Sequence, residues 1–446
     1  MIIKHLAISA FIVLSTFPMV RTLTLNYYDD SRIYSILAIL IVTFATARST
    51  ARRENHTINI KNILPLGLLS TGILLTALAN QDLNTIINAK NIILLIILAI
   101  SFKHKERDID IIFITMLFSS AILITKCYLY LYFAITVGYF NDPLLLIAKF
   151  ENIRFFNQFQ IFALVCTLKY LGHEKLGRLA SYNLFSQLLF LFLTGGRGAT
   201  LSWLILIGLL MINKNHRSLA HTALKYTLES FLAFILINYL LTLNLTEVFL
   251  LRGSSSLRIP MWLEALENIT WSNIFYGYGG GNYNEFTSIS SMSHPHNLIL
   301  QIISEWGLIF SAGFLYLLAL AITRNATSLF GKEKSNYTFL LLGFFAALVN
   351  AQFDGTFHNP VGQLLSFTFL GLLLNRASPS DDEKTLSFKL RAHSRIFLTT
   401  MLICFALFYL WLCWLYFLQV QSNPAPFYGG PYFWLTGEKF TLSANK

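Results

Sequence analysis

The feature that most constrains this chain is a recurrence of apolar runs, from one end to the other, each long enough to cross a lipid bilayer. A helix needs about 20 apolar residues to span the hydrocarbon. Backbone polar groups in lipid must be satisfied within the segment, so each run has to be helical. Thirteen spans are predicted, at 2–20, 33–47, 63–79, 91–102, 109–137, 159–171, 179–194, 199–212, 222–243, 298–321, 337–352, 360–374 and 396–418. The ten-residue alternating segments of a membrane β-barrel are absent. Only 12% of the 446 residues are charged, and the mean hydropathy is +0.58. A soluble domain carries about 25% charged residues. The expected fold class is therefore an all-α polytopic membrane protein with about 12–13 transmembrane helices. The first run follows Lys4 and His5 as a signal peptide would. It lacks a small-residue cleavage site and is counted as a span.

The net charge of +11 does not point to nucleic acid, because the charges sit in short loops between spans and read as topology determinants. With the N-terminus inside, the inner loops are 48–62, 103–108, 172–178, 213–221, 322–336 and 375–395. These loops and their edges hold 22 of the 33 Lys and Arg, against 10 on the outer side. That assignment places the long loop 244–297, Arg197, the Asp354–His358 turn and the aromatic, Pro-rich tail from Gln419 outside. The chain then divides into nine helices over 1–243, an outer loop over 244–297, four helices over 298–418 and a tail over 419–446. Cys127, Cys166, Cys404 and Cys413 all lie in apolar segments without metal-ligand or disulfide spacing, and read as small buried hydrophobes.

The outer loop has internal order. From Arg258, the residues Ile259, Trp262, Leu263, Leu266 and Ile269 recur at helical spacing, and Pro260 sits where a first turn tolerates it. Glu264, Glu267 and Asn268 fall on other faces. This predicts a short amphipathic helix lying on the membrane surface. Ser254, Ser255 and Ser256 lead into it, and the run Gly277–Asn282 after it calls for unusual backbone angles.

Several side chains carry chemistry. Arg197 lies between glycines in Thr194–Gly198; a guanidinium there suits a phosphate ligand, and the competing reading is a snorkelling arginine. Arg252 and Arg258 flank the serines and suit either a pyrophosphate or lipid headgroups. His294 and His296 straddle Pro295. An imidazole titrates near pH 6.5, so His296 suits a general base or an acceptor-positioning group. Two histidines without a nearby carboxylate form a weak metal signal. Asn297, Gln301 and Glu305 share one helical face. An acid at that depth faces the bundle interior or a wet cavity, as substrate contact or structural partner. Lys126 raises the same question, and Asp354 and His358 suit either site residues or a capped turn. No phosphate-binding loop for a nucleotide is present, and no cofactor or metal is expected.

The Gly-Arg-Gly turn at 196–198, Arg258 ahead of Trp262, the run Gly277–Gly280, and His296-Asn297 followed by Gly307 resemble, in that order, the O-antigen ligase and polymerase superfamily. The resemblance covers about 180–375 by motif. It implies a GT-C-like membrane glycosyltransferase acting at the periplasmic face of a bacterial inner membrane. Its donor would be a glycan on undecaprenyl pyrophosphate, transferred with inversion and without metal. On that resemblance Arg197 and Arg258 hold the pyrophosphate and His296 activates or positions the acceptor hydroxyl; Arg252, Asn297 and Glu305 are further candidate substrate contacts by their place in the chain alone. The ligases have about twelve spans with both ends inside, whereas hydropathy here yields a thirteenth and an outward tail. That tail, with Pro424–Pro431, is too short for the large C-terminal domain of the branch that glycosylates proteins.

The expected activity is ligation of a finished glycan to lipid A-core. The alternative is polymerisation onto a lipid-linked repeat, and membrane lipids are the remaining partner. A transporter would place ionisable residues near the midplane, often in paired repeats; here they gather on the outer face and no repeat is visible.

Overall fold

The computed structural model describes residues 2–17, 23–24, 26–52, 55–101, 106–137, 146–147, 150, 152–240, 257–288, 293–330, 335–376, 385–389, 391–422 and 433–434. Thirteen helices coincide with the thirteen expected spans: α1 (Ile2–Thr16), α2 (Tyr27–Arg52), α3 (Ile60–Asn80), α4 (Leu83–Ser101), α5 (Glu106–Val137), α6 (Ile153–Tyr170), α7 (Gly177–Leu193), α8 (Arg197–Ile212), α9 (Arg217–Leu240), α11 (Leu298–Phe330), α12 (Asn336–Asn350), α13 (Pro360–Leu374) and α14 (Ala392–Ser422). The short helix α10 (Arg258–Glu267) falls in the outer loop where amphipathic spacing put it. Six of the described helices are long and apolar enough to cross a membrane, and four more are shorter apolar helices. The protein is an all-α polytopic membrane protein.

One element was not expected. Strands β1 (Asn55–Asn59) and β2 (Thr385–Lys389) pair antiparallel, with Asn55 opposite Lys389 and Asn59 opposite Thr385. They belong to two of the basic loops assigned to the inner side, and their pairing requires both loops to lie on one side of the membrane. That supports the alternation drawn from the Lys and Arg distribution.

The chain forms two compact units. The first comprises Met1–Ser35, His104–Ser254 and Ile322–Leu373; the second comprises Ile36–Lys103, Ser255–Ala321 and Leu374–Lys446. In the first unit α6 is buried on nearly every face, as an all-round apolar helix must be. Asn152 caps it by accepting from the Arg154 amide at 2.8 Å. Its polar residues are used for helix-helix bonding: Gln160 Nε2 donates to Gln187 O at 3.0 Å, and Thr167 Oγ1 accepts from Asn183 Nδ2 at 2.9 Å. Such bonds are the polar glue of membrane bundles.

In the second unit Tyr409 of α14 donates to Asn91 Oδ1 of α4 at 2.8 Å, and Lys90 lies 4.3 Å from the rings of Phe405 and Phe408. The opposite face of α14 leaves Phe397 71% and Trp414 57% exposed, as suits a lipid-facing surface. Cys404 is exposed on α14 as well, which corrects the expectation that all four cysteines are buried.

Candidate active site

The loop of the second unit that leads into α11 is built on α10. Its first turn follows Leu257 in the left-handed region at φ 62°. Met261 and Ala265 are fully buried, and Ala265 packs with Tyr278, Tyr283 and Leu300. Ile259, Leu263 and Leu266 point away and are 56%, 55% and 52% exposed. The exposed apolar residues are those expected on the membrane-facing side, and the structure adds an inward face that the sequence reading did not name. A small apolar face packs inward, a larger apolar face is left outward, and Trp262 belongs to neither. Its Nε1 donates to Pro295 O at 3.0 Å, tying α10 to the histidine segment. Glu264 is not a free polar residue: it accepts from Thr287 Oγ1 and from the Ser288 amide. Burial pushes the Tyr278 phenol well up, with the Glu305 charge adding to it. Burial likewise pushes Tyr283 up to about 12.

His294 and His296 are both buried, and their ring centroids are 4.2 Å apart at 74°. Ser293 Oγ lies 3.1 Å from His294 Nδ1. His296 sits at φ 54°, a left-handed conformation that most side chains avoid. Asn297 then starts α11, its Oδ1 accepting from the Leu300 amide at 3.0 Å. Gln301 Nε2 approaches Glu305 Oε2 at 3.5 Å, so the expected shared face exists. Glu305 is only 3% exposed.

The tenth span is not one continuous helix. Gly307 has φ 73° and ψ 176°, which breaks α11. The glycine-rich run docks on the break: the Tyr278 amide donates to Ser304 O at 2.9 Å, and the Gly279 amide to Glu305 O at 3.0 Å. A Cβ on Gly277 would lie 2.4 Å from Glu305 O, so backbone meets backbone there. The loop is further tied to α4, where Asn84 Nδ2 donates to Gly281 O at 3.2 Å. Asn282 Nδ2 in turn donates to Asp82 Oδ2 at 3.1 Å.

Arg197, Asp354 and His358 belong to the first unit. Arg197 is the first residue of α8, entered through Gly195 at φ 67°. The turn is packed from both sides. A Cβ on Gly196 would lie 2.5 Å from Asn157 Nδ2, and one on Gly198 would lie 2.9 Å from Asn350 Oδ1. Asn350 also donates to Thr356 Oγ1 at 2.8 Å, so the Arg197 turn and the 351–359 turn are interlocked within this unit. Asp354 Oδ1 accepts from the Gly355 amide at 2.8 Å, as a capped turn would.

Arg258, His294, His296, Asn297, Gln301 and Glu305 are thus carried on one connected piece of the second unit, and Arg197 is held in the first. Arg252 and Ser254–Ser256 lie outside the described residues, as do 423–432 and 435–446 of the tail. Lys126 rests over the ring of Tyr130 at 5.5 Å. Sequence reasoning missed Arg32, counted only as an outer charge. It is 2% exposed and donates to Gln363 Oε1 at 3.0 Å and to His358 O at 3.2 Å, beneath the 351–359 turn. It also missed Thr76, Asn84 and Asn282. Asn282 closes the glycine-rich run already read as an unusual loop, and Gly72 and Thr76 form a small-residue pair one turn apart in α3; the sequence held no further signal for them.

Residues 182–315 fit the protein-family model described as O-antigen ligase. The matched region runs from α7 past Gly307 and contains the Arg197 turn, α10, the glycine-rich run and His296. No curated protein matches the chain.

Proposed function

We propose that this protein, whose residues 182–315 match the family model described as O-antigen ligase, is a multi-pass membrane glycosyltransferase of the O-antigen ligase and polymerase superfamily and, within it, the ligase. It moves a glycan from undecaprenyl pyrophosphate to a hydroxyl of lipid A-core at the periplasmic face of the inner membrane. The observation that carries this reading is His296. A buried imidazole in a left-handed conformation, at the mouth of a membrane helix and inside the family-matched region, is a costly arrangement of the kind that gathers at functional sites.

Each group has a role under this reading. Arg197 and Arg258, with Arg252, bind the pyrophosphate and stabilise it as leaving group, since a guanidinium grips phosphate oxygens bidentately. His296 orients the acceptor hydroxyl and takes its proton as the oxygen attacks the anomeric carbon from the face opposite the pyrophosphate, which inverts that centre. Asn297 and Glu305 contact sugar hydroxyls. The apolar outer face of α10 rests in the outer leaflet beside the polyprenyl chain.

The test is a strain carrying His296→Ala in place of the wild-type gene. The ligase reading expects lipid A-core without O-antigen of any length and an accumulation of lipid-linked glycan, with normal protein level. A single repeat unit left on lipid A-core would instead mark a polymerase. An unchanged profile would remove His296 from the reaction.

A further inference from the structure

The break in α11 is closed by a clasp, and we propose that the hydroxyl of Thr76 in α3 is its bolt, making Thr76 a positioning residue for His296. The positioning role rests on the proposed function; the clasp itself does not.

The need for a clasp follows from the break. In an unbroken helix the carbonyls of Ser304, Glu305 and Trp306 would accept from amides four residues on. With Gly307 at φ 73° that ladder is interrupted, and an unsatisfied backbone group in lipid costs several kcal/mol. Tertiary partners take over. Tyr278 and Gly279 donate to Ser304 O and Glu305 O at 2.9 and 3.0 Å, and the Leu308 amide turns to Ile274 O at 2.8 Å. Thr76 Oγ1 lies 2.7 Å from Tyr276 O and 3.3 Å from Trp306 O. One side-chain donor therefore serves both the entry of the glycine-rich run and the last carbonyl before the break. Its helical neighbour Gly72 O also lies at 2.8 Å, so the single hydroxyl proton alternates among these acceptors.

Thr76 reaches this point because α3 and α11 approach backbone to backbone. A Cβ on Gly72 would lie 2.6 Å from Phe310 N, and one on Gly313 would lie 2.8 Å from Leu69 N. Small residues one turn apart, Gly72 and Thr76, form the contact surface of α3, as close membrane-helix crossings require. On the other side, a Cβ on Gly307 would lie 2.3 Å from the carbonyl carbon of Phe275. The joint is filled from both sides.

The consequence is leverage. From Trp306 back to His296 is ten residues, the half-helix from Leu298 and two residues beyond its start, about 15 Å in all. A tilt of about 5° at the break displaces the imidazole by about 1.3 Å, and displacements near 1 Å cost on the order of a hundredfold in rate. A residue far from the imidazole thus sets where it stands.

The experiment compares the full-length protein with Thr76→Val, which keeps the shape and loses the hydroxyl, and Thr76→Ser, which keeps the hydroxyl. Amide hydrogen exchange is read at Tyr278, Gly279 and Leu308, and glycan transfer is read as kcat and KM. Faster exchange at those amides in Thr76→Val, a fall in kcat of at least about tenfold with little change in donor KM, and recovery of both in Thr76→Ser support the proposal. Exchange unchanged in Thr76→Val overturns the clasp. Faster exchange with wild-type kcat overturns the positioning role. Faster exchange in Thr76→Val, together with full transfer by His296→Ala, upholds the clasp and overturns the functional reading instead. If Thr76→Val does not accumulate, Thr76→Ala carries the same expectations.

Discussion

His296 is the residue whose conformation and chemistry are most clearly at odds. A left-handed backbone at φ 54° costs a non-glycine residue energy that glycine does not spend. Replacing His296 by Gly should therefore leave thermal stability in detergent within about 1 kcal/mol of wild type while abolishing transfer. A large loss of stability would show instead that the imidazole is packing. Arg258→Lys separates charge from geometry: a bidentate grip on pyrophosphate predicts that lysine fails, and retained transfer would mean that charge alone suffices. The tyrosines of the loop give a pH signature. Tyr283 holds its proton up to about 12 against an ordinary 10.0. Between those values the folded protein keeps a proton that the unfolded chain releases, so stability falls as pH rises through that window. Tyr283→Phe should flatten part of this alkaline decline in melting temperature. At this scale the sequence was partly legible. Its histidines and arginines stood out as polar residues in an apolar chain, whereas Arg32 and Thr76 looked ordinary because their partners are far away along the chain.

Among the elements, α11 and α10 depart most from a linear reading. Hydropathy makes 298–321 one span, since a glycine in an apolar run lowers the mean very little. Only the donors that arrive from 274–279 and α3 show that the helix is interrupted. Gly307→Ala should destabilise the fold by more than about 2 kcal/mol, because the new Cβ meets Phe275 and alanine resists φ 73°. Melting temperatures near wild type would mean that the loop withdraws easily. For α10 the spacing of apolar residues located the helix correctly but left its inward face undecided. Met261 and Ala265 turn inward because Tyr278 and Tyr283 offer them a surface, and the larger side chains are left outside. Leu263→Glu should keep the fold within about 0.5 kcal/mol, as an exposed substitution, yet raise the KM for a lipid-linked donor. An unchanged KM would remove the outer face of α10 from substrate capture.

For the whole molecule, the paired strands at 55–59 and 385–389 and the exposed Trp271 make topology testable. A cysteine at Arg391 should be protected from a membrane-impermeant thiol reagent in intact cells, and a cysteine at Trp271 should be labelled. The reverse pattern would invert the assignment. Under the proposed function arginines take the place of a cation at the leaving group, so transfer should survive exhaustive chelation. Loss of activity restored by a divalent ion would point to the His294–His296 pair as its holder.

What the sequence determined by itself is what lipid dictates locally. Each apolar run tends to close its own hydrogen bonds, so the number and approximate place of the helices can be read from composition along the chain. Tertiary structure decided everything that depends on a partner distant in sequence: the two-stranded sheet, the inward face of α10, the buried Arg32 beneath the 351–359 turn, and the broken α11. A helix can end in mid-membrane only if donors from elsewhere reach its freed carbonyls, and no local pattern records whether they do.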